Sequence, residues 1–299
     1  MSGAARLAVA GLSVDFGGLR AVDGVDLVAE PGAVVGLIGP NGSGKTTLLD
    51  VVSGLVRPEA GTVALDDEDV TDHLPEERAA RGVVRSYQDC RLYPELTVED
   101  TLLITADAGR RVGVLSITLQ LPHARRAERA KRAAVDRVVD AFGLGPFRHH
   151  RTSELSTGTR RVVDLASVVL AEPRLLLLDE PTAGIAQREA EAFVPLLRRL
   201  QETTGSTVVL VEHDVPLVFE LCDTVVVMEA GRVVAAGPTD AVRRDPAALA
   251  AYLGASEEAL HVTGPPPPRA PSPSPAAEAD PGAPAPERGQ PPGGGMAGP

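Results

Sequence analysis

Apolar residues in this chain gather into short unbroken runs separated by longer mixed stretches. Val34-Val35-Gly36-Leu37-Ile38 is one such run, and Leu27-Val28-Ala29 precedes it across a turn at Pro31-Gly32. Continuous runs suit strands of a parallel sheet buried on both faces, where strict alternation would suit a sheet with one wet face. Three more runs share this texture: Leu175 to Leu178, Thr207 to Val211 and Val225 to Met228. Helical stretches lie between them, which predicts a doubly wound α/β core. A helix is expected from Thr47 to Ser53. From about residue 92 to 169 Ala and Arg dominate and strand signals are few. This part reads as a helical insertion, with one helix from Arg125 to Phe142 stopped by Gly143. After about Ser256 the composition shifts to Pro, Gly and Ala and some Ser, with four prolines at Pro265 to Pro268 and glycines at Gly293 to Gly295. Residues 256–299 are therefore expected to be a disordered tail, and residues 1–255 the folded part, because the tail lacks apolar surface to bury.

Chemistry concentrates at the ends of two of these runs. Ile38 is followed by Gly39-Pro40-Asn41-Gly42-Ser43-Gly44-Lys45-Thr46, which fits G-x-x-x-x-G-K-[ST] at every fixed position. The strand–loop–helix setting matters more than the string. Glycines let backbone N–H groups curl around phosphate oxygens, and the following helix adds the positive end of its dipole. Lys45 can reach the β- and γ-phosphates of a nucleotide, and the Thr46 hydroxyl can ligate Mg²⁺. The run Leu175 to Leu178 ends in Asp179-Glu180. Ligand groups cluster at the carboxyl ends of parallel strands, so Asp179 is expected beside the phosphate loop as a Mg²⁺ ligand. Glu180, pointing differently because strand side chains alternate, is placed to act on the attacking water.

Whole-chain properties narrow the setting. The 299 residues include 43% apolar residues, enough for a sizeable core, and the formal charge is −12. An acidic chain does not favour sequence-independent nucleic-acid binding, where neutralising phosphates supplies the affinity. The basic stretch Arg125 to Arg137 is interleaved with Ala and Glu and reads as a solvated helix face. The two cysteines, Cys90 and Cys222, are far apart and form no C-x-x-C pair, as expected of reduced thiols in the cytoplasm. No run approaches the ~20 apolar residues of a membrane-spanning helix. Other subunits would have to cross a membrane that this protein serves.

With its two motifs and several others in order, the chain resembles the ABC ATPase family over about residues 6 to 254. Gln88, in Ser86-Tyr87-Gln88-Asp89, matches the family's Q-loop glutamine. Leu155-Ser156-Thr157-Gly158-Thr159 stands where the family has LSGGQ. His213, in Val211-Glu212-His213-Asp214, matches the switch histidine, and Phe16 matches the aromatic residue that stacks on adenine. The resemblance implies a P-loop NTPase core of the RecA-like kind with an antiparallel β subdomain and a helical insertion. It implies ATP as the bound nucleotide with Mg²⁺ as cofactor. Phe16, Gly39, Pro40, Asn41, Gly42, Ser43, Gly44, Lys45, Thr46, Thr47, Ser156 and Gly158 would hold the nucleotide. Thr46, Gln88 and Asp179 would hold the metal, and Lys45, Gln88, Glu180 and His213 would carry hydrolysis.

Within the family the chain is similar to the ATPases of branched-chain amino-acid importers, on Phe16-Gly17-Gly18, Gly39-Pro40-Asn41-Gly42, Tyr252-Leu253-Gly254 and the longer insertion around Leu115 to Arg126. Similar cassettes power lipopolysaccharide export, and a soluble or regulatory ABC protein is a further alternative. The expected partners are integral membrane permease subunits, a second cassette (the same chain or a different one) and, indirectly, a substrate-binding protein, with no nucleic acid. The expected location is cytoplasmic, peripheral on the inner face of the membrane. Three departures stand out: Thr157 for Gly and Thr159 for Gln in the signature, and Ala186 where the D-loop usually has Asp or Asn. Both elements act across a head-to-tail dimer in the family, so the departures bear on pairing and turnover.

Overall fold

A computed structural model describes residues 3–86, 92–108, 122–183 and 187–251 of the chain. The expected tail at 256–299, Gln88 and Ala186 lie outside the described residues.

The chain opens with two long antiparallel strands, β1 (Leu7–Phe16) and β2 (Leu19–Ala29). The apolar run then forms β3 (Val34–Ile38), which leads through the glycine loop to helix α1 (Lys45–Val52). Strands β4 (Ala60–Leu65) and β5 (Glu68–Asp69) complete a four-stranded antiparallel sheet in the order β2-β1-β4-β5. Helix α2 (Pro75–Ala80) and strand β6 (Val83–Arg85) follow.

The stretch expected to be helical holds α3 (Val98–Ala108), α4 (Pro122–Ala141), two 3₁₀ turns and α5 (Thr157–Leu170). Then come β7 (Leu175–Asp179), α6 (Gln187–Thr204), β8 (Thr207–Val211), α7 (Val215–Leu221), β9 (Thr224–Glu229), β10 (Arg232–Pro238) and α8 (Thr239–Val242). The second sheet has the order β10-β9-β3-β8-β7-β6. Its strands β9, β3, β8, β7 and β6 run parallel, and β10 pairs antiparallel at the edge.

The unbroken apolar runs are explained by burial on both faces. From β7, Leu175 and Leu177 enter one core while Leu176 and Leu178 enter the other; β8 divides its residues in the same way. One core lies between the parallel sheet, α1 and the antiparallel sheet. The other lies under α3 to α7. Each fully buried Leu or Val contributes roughly 1.5–3 kcal/mol. With every side chain of β7 and β8 buried, strand position is strongly specified.

Two boundaries differ from expectation. Helix α1 begins at Lys45, two residues earlier, because the Leu48 N–H already bonds to the Gly44 carbonyl at 2.9 Å. Helix α4 begins at Pro122, where a proline suits a first helical turn. Strand β6 was not anticipated. Three residues are too few to show a period, and β6 is a strand because it pairs with β7.

Candidate functional site

The order β3-β8-β7 sets three carboxyl-terminal strand ends side by side. The glycine loop leaves β3, Asp179 ends β7, and His213 stands two residues after β8. Brought together at one sheet edge, these are the residues that the sequence placed at the ends of separate apolar runs.

Two glycines of the loop are required by contact. At Gly39 (φ +148°) a Cβ would lie 2.0 Å from the Met228 carbonyl oxygen of β9. At Gly44 (φ +98°) it would lie 2.2 Å from the Ala21 carbonyl oxygen of β2. Any side chain would push the loop off its two supporting strands. Lys45 begins α1 and is buried, and its Nζ donates to the carbonyls of Gly39 (2.8 Å) and Pro40 (2.9 Å). The ammonium is thereby held inside the curl of the loop. Burial lowers the Lys45 pKa, opposed by the nearby charges of Glu180 and Asp179. Thr46 is exposed at the start of α1 and Thr47 is partly buried behind it. Pro40, Asn41 and Gly42 form the outer rim of the loop, and Ser43 is buried against Lys45.

Asp179 is buried at the end of β7. Desolvation raises its pKa, and the Arg85 guanidinium, 3.0 Å from Oδ2, pulls it back down. The next residue departs from the expected strand alternation. Glu180 has φ +48°, a left-handed conformation that costs a non-glycine residue roughly 1–2 kcal/mol. Its N–H is anchored on the Val211 carbonyl at 2.9 Å. The turn, rather than strand alternation, aims its carboxylate at His213, whose Nε2 is 2.6 Å from Oε1.

Glu212 was quoted in the sequence without a role. Its buried carboxylate accepts from Thr182 N (2.9 Å), Thr182 Oγ1 (2.7 Å) and the His213 N–H (3.1 Å). It ties the turn after Glu180 to the backbone that carries His213. Desolvation raises its pKa while these hydrogen bonds lower it. The available signal was an acid directly after an apolar run, where a buried carboxylate needs a dedicated set of donors.

Phe16 ends β1 and is 52% exposed, so its ring is not part of the core. Ser156 caps α5, its Oγ accepting from the Thr159 N–H at 3.1 Å and lying 2.9 Å from Thr159 Oγ1. Thr157 is therefore the first helical residue and Gly158 the second. No hydrogen bond joins Ser156 to the phosphate loop among the described residues. Gln88 lies outside them, so its place beside Asp179 is not part of this geometry.

The donor set fits Mg²⁺ held together with phosphate oxygens. That ion usually takes one or two protein oxygens and completes its shell with substrate and water. Thr46 and Asp179 supply such oxygens. Among the described residues no cluster of three or more His, Cys, Asp or Glu forms a separate metal cage.

The chain matches the ABC transporter family over residues 22–183. It is 36% identical over 249 residues to the high-affinity branched-chain amino acid transport ATP-binding protein BraF of Pseudomonas aeruginosa, covering 83% of this chain and 97% of that protein. Identity to the corresponding protein LivG of Escherichia coli is 36% over 252 residues, with the same coverage. The lipopolysaccharide export system ATP-binding protein LptB of Haemophilus influenzae is 30% identical over 243 residues, covering 81% of this chain and 95% of that protein. Among solved structures, the ADP conformation of an ATP-binding cassette of an ABC transporter superposes with a TM-score of 0.71 at 28% identity, over 84% of this chain and 99% of that one. A nucleotide-free ATP-binding cassette from an ABC transporter gives 0.70 at 26% identity, over 83% and 98%. With the phosphate loop, the strand-end Asp179-Glu180 pair and His213 in one place, these likenesses establish that the chain belongs to the ABC transporter family as an ATP-binding cassette, an ATPase.

Proposed function

We propose that this cassette binds Mg-ATP on the Gly39 to Thr47 loop and hydrolyses it through Glu180, energising import of branched-chain or other amino acids by a membrane transporter. The contact that carries the chemical part is Glu180 Oε1 to His213 Nε2 at 2.6 Å, beside the loop that holds Lys45. Lys45 and the loop N–H groups bind and orient the β- and γ-phosphates, and Phe16 offers its exposed face to the base. Bound Mg²⁺ would be held by Thr46, Asp179 and Gln88, and it supplies neutralisation of charge on the phosphate oxygens. The Glu180 carboxylate orients the attacking water and accepts its proton. His213, with Nε2 at 2.6 Å from Oε1, holds that carboxylate in place.

The test is direct. Lys45→Ala should abolish nucleotide binding. Glu180→Gln should bind normally and turn over about 10²–10⁴-fold more slowly, the usual worth of a positioned base. Normal turnover in Glu180→Gln would remove Glu180 from the chemistry.

On this reading residues 1–255 form the cassette, with a helical subdomain at about 92–169, and 256–299 a tail. Among the described residues no helix is long and apolar enough to cross a membrane. The proposed partners are integral membrane permease subunits, a second cassette and, through the permease, a substrate-binding protein, with the chain peripheral on the inner face of the membrane. Identity to BraF and LivG supports the amino-acid substrate, and the LptB likeness keeps export in view. Loss of labelled leucine uptake on deleting the chain, with a permease co-purifying, supports import. Unchanged uptake with a lipid-export permease co-purifying would reverse it.

A further inference from the structure

Among the described residues around Asp179, Arg85 touches the aspartate and the phosphate-loop helix at once. Arg85 ends β6, in register with Leu177 of β7, and its side chain is 5% exposed. One guanidinium nitrogen lies 2.5 Å from Asp50 Oδ1 and 3.2 Å from the Ser53 hydroxyl, both at the end of α1 or just past it. The other lies 3.0 Å from Asp179 Oδ2. Asp50 follows Lys45 by five positions on α1, and Arg85 precedes Gln88 by three. The guanidinium is planar and rigid, so its two nitrogens hold Oδ2 of Asp179 in a fixed relation to Asp50 and Ser53. Only Oδ2 of Asp179 is engaged among the described residues. The second oxygen, Oδ1, is left as the donor.

We propose that Arg85 is a positioning residue for the metal site: by gripping Oδ2 of Asp179 from an anchor on Asp50 and Ser53, it presents Oδ1 to the divalent cation that accompanies the nucleotide. The proposal rests on the Mg-ATP reading above. On this proposal Arg85 acts through Asp179. Two physical effects oppose each other here. The positive charge next to Asp179 repels a cation, and the fixed geometry favours it. The second prevails, because a metal ligand without a hydrogen-bonded support loses its aim. Outer supports of metal ligands typically change metal affinity about 10–100-fold when removed.

The experiment measures ADP binding by calorimetry to the full chain, in EDTA and in excess Mg²⁺, for wild type, Arg85→Gln, Arg85→Lys and Asp50→Asn. The readout is the ratio of the two affinities. Affinity in EDTA should be the same in all four, because Lys45 and the loop are untouched. In Arg85→Gln the Mg²⁺-dependent gain should shrink about 10–100-fold. Arg85→Lys keeps the charge without the fork and should recover only part of the gain. Asp50→Asn leaves Arg85 in place with a weaker anchor and should show a smaller loss than Arg85→Gln, which gives a second measurement if Arg85→Gln folds poorly. An undiminished gain in Arg85→Gln, or full recovery in Arg85→Lys, would overturn the positioning role. A larger gain would show instead that Arg85 competes with the cation. If wild type itself binds ADP no better with Mg²⁺, the Mg-ATP reading fails, and the role of Arg85 fails with it.

Discussion

Glu212 accepts three hydrogen bonds in a buried position, one of them from the backbone N–H of His213. Glu212→Gln keeps the volume but turns an amide N–H₂ toward one of those donors. We expect ATP affinity within about threefold of wild type and turnover reduced roughly 10-fold, as for other supports of reactive groups. Steady-state kinetics together with binding would check this, and a loss of affinity equal to the loss of turnover would point to general disorder of the loop. Asp164 on α5 is a partly buried acid, pushed up to about 6 from 3.8 by desolvation, with Arg161 pulling the other way. The raised value means that the folded state keeps a proton that the unfolded state has released between about pH 4 and 6. Stability from this group therefore falls as pH rises through that window, and the full penalty is present at pH 7. Asp164→Asn should match wild type near pH 4 and exceed it by up to about 3 kcal/mol at pH 7. Denaturant titrations at the two pH values would read the difference, and a constant gap would remove Asp164 as its cause.

At the scale of elements, α1 is the helix on which the phosphate loop depends, and its far end is closed by an arginine from another element. Arg78 of α2 is 1% exposed. It donates to the carbonyls of Val51 (2.6 Å), Val52 (2.8 Å), Thr71 (2.8 Å) and His73 (3.2 Å). The Val51 carbonyl also accepts the Gly54 N–H at 3.0 Å, so the guanidinium adds to the closure of the helix end, and a cation there suits the negative end of the helix dipole. Arg78→Met keeps most of the apolar stem and removes every donor. Its expected cost is about 3 kcal/mol, since several buried carbonyls lose a charged partner. For a domain of this size that is a melting-temperature drop of roughly 6–12 °C. Nucleotide affinity of the surviving folded protein should change little, because Lys45 sits at the opposite end of α1. An unchanged melting temperature would show that water replaces the guanidinium. Neither α2 nor this cap was evident from the sequence. Arg78 stands in a short charged stretch, and its burial follows from α2 packing on the end of α1.

At the scale of the molecule, the open matter is pairing between cassettes. In the described chain, Ser156 bonds to Thr159 rather than to the phosphate loop. In the family, the signature serves an ATP held by a second cassette. We propose that this chain pairs with a different cassette and that its signature serves the weaker site. Thr157 adds a branched Cβ where the family has Gly, and it occupies the first helical position behind the capping Ser156. Glu180→Gln protein with ATP, measured by light scattering, should remain largely monomeric alone and form a heavier complex with a cassette encoded beside it. A strong ATP-dependent homodimer from this chain alone would defeat the heterodimer. Thr157→Gly with Ala186→Asp should strengthen self-association, and no change would count against the steric cause.

The sequence by itself determined the α/β class, the four central strands and the phosphate loop, because these are local in the chain. A strand buried on both faces must be a continuous apolar run, as at Leu175 to Leu178. A loop that wraps phosphate must place glycine where a Cβ would strike a neighbouring strand, as at Gly39 and Gly44. Asp179 and Glu180 were singled out because their run accompanies the phosphate loop; an acid ending such a run is otherwise common, and Glu212 after β8 has a structural role. Tertiary structure decided the rest. Strand β6 exists through pairing with β7. The direction of the Glu180 side chain depends on a left-handed turn that strand alternation did not foretell. The side chains of Arg85, Arg78 and Glu212 look like ordinary charged groups until folding buries them, and a buried charge must be met by specific partners. Several of those partners come from elements distant in sequence, as with the 94 positions that separate Arg85 from Asp179. Their pairing depends on the order of strands in the sheet, which no local pattern of residues carries.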